Sequence, residues 1–253
     1  MDFTYILAGA TVGFIVGLTG VGGGSLMTPI LVLGFHIQPT IAVGTDLLYA
    51  AITKTGGMWT HHRLNNINWK IVKGLSLGSI PGSISTIILV QYFDISGHDF
   101  EKIISLTLGV MLIFTALVII FKKQINLLTQ SKDRADPKQT TLILLGLTLG
   151  VLVTISSVGA GAIGGALLLL LYPNLKARTI IGTDIAHAVP LTAVAGLGHL
   201  QMGHIDFQLL LSLIIGSLPA IYLGAIIGEK IHEDLLKTLV ALILLVIGLK
   251  FII

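Results

Sequence analysis

The sequence predicts an all-α polytopic membrane protein, built from two inverted-topology repeats of about five segments each and containing glycine-broken short helices, with 8–10 membrane segments. Its composition, the spacing of its apolar runs and an internal repeat predict this fold. Apolar residues make up 54% of the 253 residues, charged residues only 11%, and the mean hydropathy is +0.95. A soluble domain carries about 25% charged residues. Water-soluble, disordered and nucleic-acid-binding proteins are therefore excluded as classes.

Apolar runs cover almost the whole chain and divide it into ten expected segments. No Lys or Arg precedes the first run, so we expect a membrane helix there rather than a cleaved signal peptide. Most runs have about the 17–25 residues that span a bilayer, but two follow glycine-rich stretches and reach only about halfway. The full-length segments are 3–20, 40–58, 71–92, 102–121, 140–157, 179–199, 207–228 and 235–253, and the short ones are 25–34 and 162–172.

The two halves of the chain share a series of motifs in the same order. The tripeptide Gly-Thr-Asp at 44–46 recurs at 182–184, an offset of 138, and Gly-Ser-x-Pro at 78–81 recurs at 216–219. Chance similarity between apolar helices would not preserve this order, so the motifs indicate a duplication. We expect a first repeat at 1–121, a polar linker at 122–139 and a second repeat at 140–253.

Basic residues predict how the repeats are oriented. Twelve of the fifteen Lys and Arg residues fall in four polar stretches, which we place in the cytoplasm because cytoplasmic loops carry an excess of positive charge. These stretches are 59–73, 122–139, 173–178 and 229–237. The repeat partner of the first stretch then lies outside, so the halves are inverted and both termini face outward. Inverted repeats with broken helices are typical of secondary transporters.

Small residues at the two breaks are candidates for binding an anion. Glycines expose backbone N–H groups, and the half-helices that follow begin with the positive end of a helix dipole. Close helix packing is the alternative explanation, since small residues serve that purpose too. The candidate substrate-binding residues are Gly22, Gly23, Gly24, Ser25, Thr45, Ser156, Ser157, Gly159, Gly161 and Thr183.

Asp46 and Asp184 each lie about 10–12 Å along an apolar helix. Ionisable residues inside a membrane are costly, so each is a candidate for coupling or gating, as a proton or sodium site. An architectural role is an equal alternative, in which the acids accept N–H bonds from the glycine breaks. Thr45 and Thr183 precede the acids and could donate to an anion or bond to their own helices.

Lys54 and His187 share these two helices and are also candidates for coupling or gating. Lys54 could attract the anion or could extend its ammonium group to the inner surface. His187 follows Asp184 by three residues, so the two share a helix face. Four further histidines lack metal-ligand spacing, and we expect them in solvated loops. They are His61, His62, His199 and His204.

The glycine-rich break after the first helix, the Gly-Thr-Asp motif in each half and the Gly-Ser-x-Pro-Gly stretch resemble the TauE/SafE, or sulfite exporter, family. The resemblance covers essentially the whole chain. It implies a multi-pass bacterial inner-membrane protein that moves sulfur-containing anions, such as sulfite, thiosulfate or organosulfonates. The second break, 156–161, contains fewer glycines than 20–24. The two halves are therefore expected to contact the anion unequally.

The leading hypothesis is a proton-coupled secondary transporter that exports small sulfur-containing oxyanions, with the anion, protons and the lipid bilayer as its partners. A channel, or a cation or metabolite carrier that uses the two aspartates, is the alternative. An intramembrane aspartyl protease is disfavoured because no recognisable catalytic signature surrounds the acids. We expect no catalytic residue, no cofactor, no metal site and no nucleic-acid partner. The chain has no Walker loop and is not expected to hydrolyse ATP.

Overall fold

The computed structural model describes residues 3–19, 24–93, 98–121, 124, 137–159, 161–228 and 233–252. Ten helices lie in these parts of the chain, which contain no strand. In chain order they are α1 (Phe3–Thr19), α2 (Gly24–Phe35), α3 (Pro39–Arg63), α4 (Trp69–Tyr92), α5 (His98–Ile120), α6 (Gln139–Ser156), α7 (Ala162–Leu171), α8 (Ala177–Gln201), α9 (Phe207–Gly228) and α10 (Glu233–Ile252). Each expected apolar segment corresponds to one helix, which confirms the all-α polytopic prediction.

Helix length separates the spanning helices from the half-helices. Among the described residues, α4, α5, α6, α8 and α9 are long and apolar enough to cross a membrane. The 12 residues of α2 and the 10 of α7 extend only about 18 Å and 15 Å, half of a bilayer core. The two short segments predicted from the sequence are therefore confirmed as short helices.

Capping residues define the ends of the helices that border the candidate functional site. Asn68 caps α4 by accepting hydrogen bonds from the backbone N–H groups of Lys70 and Ile71. Asp206, 138 residues later, accepts from the N–H of Leu209 at the start of α9. Helix α6 ends at Ser156, and its C-cap residue Ser157 has a left-handed φ of 57° and donates its N–H to the carbonyl of Val153. The chain therefore stops being helical immediately before the second break.

The helices pair across the repeats rather than within them. The most extensive packing is between α1 and α9, α4 and α6, α5 and α10, and α3 and α8. Each pair takes one helix from each repeat. Exchanging the repeats converts the α1–α9 pair into the α6–α4 pair and leaves the other two pairs unchanged, as a two-fold relationship requires.

Glycines allow these pairs to approach backbone to backbone. On α4, Gly78 leaves room for the carbonyl of Ile143, and on α6, Gly150 leaves room for the carbonyl of Ser79. Their repeat partners act in the same way between α1 and α9, where Gly216 faces the carbonyl of Ile6. Small residues that let helix backbones meet are a common source of association inside membranes. Close packing therefore accounts for these helical glycines.

The crossing of α3 and α8 gives the relative direction of the repeats. A Cβ atom placed on Gly57, late in α3, would lie 3.5 Å from Ile185, early in α8. A Cβ atom on Gly196, late in α8, would lie 2.6 Å from Leu48, early in α3. The two equivalent helices therefore run antiparallel, which is the relation expected of inverted repeats.

Apolar side chains fill the space between the repeats and also cover the outer surface. The largest buried cluster joins Leu31 of α2, Leu112 of α5 and Leu213 of α9, each completely buried. Leu144 and Val246 are 64% and 66% exposed on the outside. Such an exterior suits lipid rather than water.

The expectation that four histidines lie in solvated loops is wrong for His199. His199 lies in α8, is 1% exposed and forms a 2.9 Å hydrogen bond from Nε2 to the carbonyl of Thr154. That carbonyl belongs to the last turn of α6, where helix carbonyls lack partners within their own helix. His61 and His62 lie in the last turn of α3 rather than in a loop, and His61 Nδ1 is buried, so the expectation is wrong for His61 as well. The loop residue His204 contacts His199, with 3.3 Å between their Nδ1 atoms.

Candidate functional site

The Gly-Thr-Asp motifs lie near the starts of α3 and α8, where each meets a loop of the other repeat. Gly44 is in close contact with the carbonyl of His204, in the loop between α8 and α9. Gly182 is in close contact with the carbonyl of Asn66, in the loop between α3 and α4. A side chain at either glycine would overlap with a backbone atom. The first residue of the motif therefore permits the repeats to interlock.

The threonines of the two motifs complete this interlock. The backbone N–H of Asp206 donates to Thr45 Oγ1 at 3.2 Å, and that of Asn68 donates to Thr183 Oγ1 at 2.9 Å. Both threonines are 0% exposed. Each threonine thus holds the residue that caps a helix of the opposite repeat. An additional contact of Thr45 or Thr183 with the anion remains a prediction.

Asp46 joins the half-helix of its own repeat to the break of the other repeat. Its Oδ2 accepts hydrogen bonds from Thr28 Oγ1 at 2.6 Å and from Ser157 Oγ at 2.9 Å. Thr28 lies on α2, Ser157 follows α6, and Asp46 is 0% exposed. Thr28 was not among the candidate residues predicted from the sequence. The feature of the sequence that could have identified Thr28 is its hydroxyl group, which lies one turn into the apolar half-helix α2.

Asp184 occupies the equivalent position in the second repeat but has different surroundings. It is 4% exposed, and its Oδ1 lies buried against Gly164, without a hydrogen-bond partner among the described residues. A Cβ atom on Gly165 would lie 3.7 Å from its Oδ2. The carboxylate therefore meets glycines of the first turns of α7 where Asp46 meets hydroxyl groups.

Lys54 and His187 complete a charged cluster, defined here as Asp46, Lys54, Asp184 and His187. Lys54 interacts electrostatically with both aspartates and with His187. Its ammonium group is thus within electrostatic range of the carboxylates of both repeats. The cluster brings together the four residues predicted to act in coupling or gating.

His187 and its repeat partner Tyr49 form matching contacts across the repeats. His187 is 1% exposed, and its Nε2 lies 2.9 Å from Ser79 Oγ on α4. Tyr49, three residues after Asp46, has the side chain of Ser217 on α9 as its polar neighbour. Both serines belong to the Gly-Ser-x-Pro motifs. Each of these motifs therefore supplies a polar partner to the Gly-Thr-Asp helix, α3 or α8, of the opposite repeat. His187 Nδ1 is buried without a partner among the described residues.

The second break has a defined backbone. Ser156 Oγ donates to the carbonyl of Leu152 at 2.7 Å and accepts from the N–H of Val158 at 3.2 Å. Gly159 and Gly161 have φ angles of 119° and 145°, which side chains rarely allow. These glycines shape the turn into α7. Among the described residues of this break, Ser157 is the one that donates a hydrogen bond to the charged cluster, at Asp46.

The first break is described only at its end. Gly22 and Gly23 lie outside the described residues, as does most of the linker 122–139. Gly24 begins α2, and Ser25 follows it in the first turn with 4% exposure. In the part of the chain that the structure describes, no group of three or more His, Asp or Glu residues is arranged to hold a metal ion.

Comparison with known proteins identifies the family. The profile of the family described as sulfite exporter TauE/SafE matches residues 5–251. The chain belongs to the TauE/SafE family. It is 38% identical over 256 residues to the probable membrane transporter protein YjnA of Bacillus subtilis, covering all of both chains.

Two further relatives of this TauE/SafE protein carry the same kind of description. YdhB of Bacillus subtilis is 30% identical, with 96% of this chain and 97% of the relative covered. A probable membrane transporter protein of Methanocaldococcus jannaschii is 26% identical, with 96% and 92% covered. No solved structure matches the chain. The protein is therefore a helical transmembrane transporter of the TauE/SafE family.

Acidification is expected to destabilise this TauE/SafE transporter partly through His204. Burial lowers the pKa of His204 below its usual value of 6.5, so the unfolded chain binds the proton more readily. Stability from neutral His204 is present above that value and is lost as the pH falls below it. We expect the melting temperature in detergent to fall between about pH 7 and about pH 5, and to fall less in His204→Asn, which carries the residue found at the equivalent position 66. A parallel fall in both proteins would contradict this.

Proposed function

We propose that this transporter exports small sulfur-containing oxyanions, such as sulfite or organosulfonates, across the bacterial inner membrane by a proton-coupled secondary mechanism. The description of the family supports the class of anion. The charged cluster buried between the repeats supports the mechanism, and it is the observation that carries the proposal. Substrate sites of secondary transporters with inverted repeats lie at the repeat interface near broken helices.

The charge of the cluster explains why an anion and a proton would bind together. With both carboxylates ionised, Lys54 protonated and His187 neutral, the four side chains carry a net charge of −1. An anion would be repelled, and repulsion is strong where water is scarce. One bound proton makes the cluster neutral, and a second makes it positive. Protonation therefore favours entry of the anion beside Lys54.

The half-helices would supply the polar contacts to the oxyanion. Helix α2 begins beside Ser25 and α7 beside Gly161, and free N–H groups at helix starts bind anions. The remaining proposed contacts are the backbone of Gly22, Gly23, Gly24 and Gly159 and the hydroxyls of Thr45, Ser156, Ser157 and Thr183. Because the second break has two serines and fewer glycines, its contacts would be made more by hydroxyl groups.

For a divalent anion such as sulfite, the membrane potential favours export. A complex of one divalent anion with one proton carries a net negative charge, and a potential of 100 mV, negative inside, drives such a charge outward by about 2.3 kcal/mol. We place the linker 122–139 in the cytoplasm and both termini outside. The excess of Lys and Arg in the linker supports this orientation.

Flux in proteoliposomes tests the proposal. We expect purified protein to give saturable flux of radiolabelled sulfite that changes with an imposed pH gradient, whereas protein-free liposomes give none. Thiosulfate and organosulfonates, added in excess, should compete. Saturable flux that ignores the pH gradient would contradict proton coupling. Absence of flux and competition across this panel would contradict the choice of substrate.

A further inference from the structure

The two aspartates of the charged cluster are equivalent in the repeat but not in their partners. Thr28 and Ser157 donate to Asp46. With the offset of 137 that relates the two breaks, the equivalents of these residues are Gly165 and Gly20. Asp46 thus has two hydroxyl groups as partners, whereas glycines occupy the matching positions in the sequence for Asp184.

The geometry at Gly165 shows that this correspondence holds in space. A Cβ atom on Gly165 would face Asp184 Oδ2 at 3.7 Å, as the Thr28 side chain faces Asp46 Oδ2. Gly164 lies against the other oxygen, Oδ1, which is buried without a hydrogen-bond partner in the described ranges. Position 165 is therefore the place where a hydroxyl partner of Asp184 is missing.

The charged groups around Asp184 come from two helices. Lys54 on α3 is the cation that interacts with it, with Asp46 as the second carboxylate near that cation. His187 lies on α8, the same helix as Asp184, three residues further along. The Lys70 and Lys73 side chains of the neighbouring α4 are exposed. Protonation of Asp184 thus changes the charge next to Lys54 without breaking a hydrogen bond from any hydroxyl group of the described residues.

We propose that the two acids have divided their roles: Asp46 is a fixed acceptor that holds both half-helix regions, and Asp184 binds and releases the transported proton. This rests on the proposed function in that a proton accompanies the anion. The proton passes from water onto a carboxylate oxygen of Asp184, forming one O–H bond, and returns to water on the other side as that bond breaks. Proton exchange on Asp46 would instead weaken its bonds to Thr28, on the half-helix of its own repeat, and to Ser157, at the break of the other repeat.

Gly165→Ser tests the assignment by restoring the missing hydroxyl. The Cβ atom meets nothing closer than 3.7 Å, so the substitution fits. A hydroxyl bonded to Asp184 stabilises the ionised form, and hydrogen bonds to charged groups are strong enough to move a titration by about one pH unit. We expect the pH of half-maximal sulfite flux to move down by about that amount. Gly165→Ala, with the same Cβ and no hydroxyl, should keep the wild-type profile.

Substitution of each acid provides a second test. Asp184→Asn should lower the melting temperature less than Asp46→Asn does and make any remaining flux independent of the pH gradient. Asp46→Asn, and Thr28→Val, should lower the melting temperature, and their remaining flux should still respond to the gradient. The proposal is overturned if Asp46→Asn removes the pH response while Asp184→Asn keeps it, or if Gly165→Ser and Gly165→Ala give the same profile.

Infrared spectroscopy tests the division of roles between Asp46 and Asp184 independently of the proposed transport function. Difference spectra between acid and neutral pH should contain a protonated-carboxyl band that is lost in Asp184→Asn and retained in Asp46→Asn. This measurement needs no transported anion. If wild-type protein moves no sulfur oxyanion but shows this pattern, the proposed function fails and the division stands. If flux is proton-coupled but the band is lost in Asp46→Asn instead, the division fails alone.

Discussion

Replacing Lys54 with Gln is expected to reduce sulfite flux by about 100-fold or more. The substitution removes the cation that interacts with both buried carboxylates. Removing one partner from a buried charge pair costs about 3–5 kcal/mol, and each 1.4 kcal/mol is a factor of ten in binding. The anion would then face two carboxylates with no cation beside it. Initial flux rates in proteoliposomes, at matched protein content, measure the effect.

Lys70→Gln is the matched control for Lys54→Gln. It removes the same charge from an exposed position at the start of α4, outside the charged cluster. We expect flux within about twofold of wild type, because exposed charges contribute little. Size-exclusion chromatography must show that both variants remain folded. Wild-type flux in a folded Lys54→Gln protein would rule out a role for this cation in binding the anion.

Gly44→Ala is expected to give the largest loss of stability among single methyl additions in α3. The new Cβ atom would overlap with the carbonyl of His204, which is backbone and has no rotamer to adopt. Either α3 or the loop must move, and the bond from Asp206 to Thr45 would be strained with it. Overpacking of this kind costs about 1–3 kcal/mol and sometimes more. Thermal unfolding in detergent measures it.

Gly56→Ala provides the comparison within the same helix. A Cβ atom there meets nothing within 4 Å, so only helix propensity changes. Alanine is favoured over glycine inside a helix by about 1 kcal/mol. We therefore expect Gly56→Ala to be neutral or more stable than wild type. Equal melting temperatures for the two variants would mean that Gly44 does not form the close contact described above.

The sequence was sufficient to predict the helices, because the thickness of a bilayer sets the length of an apolar run. It separated α2 and α7 from the spanning helices, since ten to twelve residues cannot cross the core. The order of repeated motifs, together with the distribution of basic residues, also predicted that α3 and α8 run in opposite directions. These properties are local or periodic and can be seen along a single chain.

Partners across the repeats could not be predicted in the same way. Thr28 and Ser157 meet Asp46 from two helical segments 129 positions apart, and only the crossing of helices brings them together. His199 was expected in a solvated loop because it is polar and lies near a helix end. It is buried because α6 presents an unpaired carbonyl beside it. Such contacts depend on side-chain geometry rather than on hydropathy.

The exchange of helices between repeats has a consequence for how the protein is made and how it arose. During synthesis, α1 and α4 enter the membrane before α9 and α6, their main packing partners, have been translated. Until α9 and α6 are made, the glycine-lined faces of α1 and α4 contact lipid or a chaperone. A half-length ancestor could have satisfied the same faces only by associating with an oppositely inserted copy of itself. On this reasoning we expect that the two halves, co-expressed as separate chains, assemble into one particle.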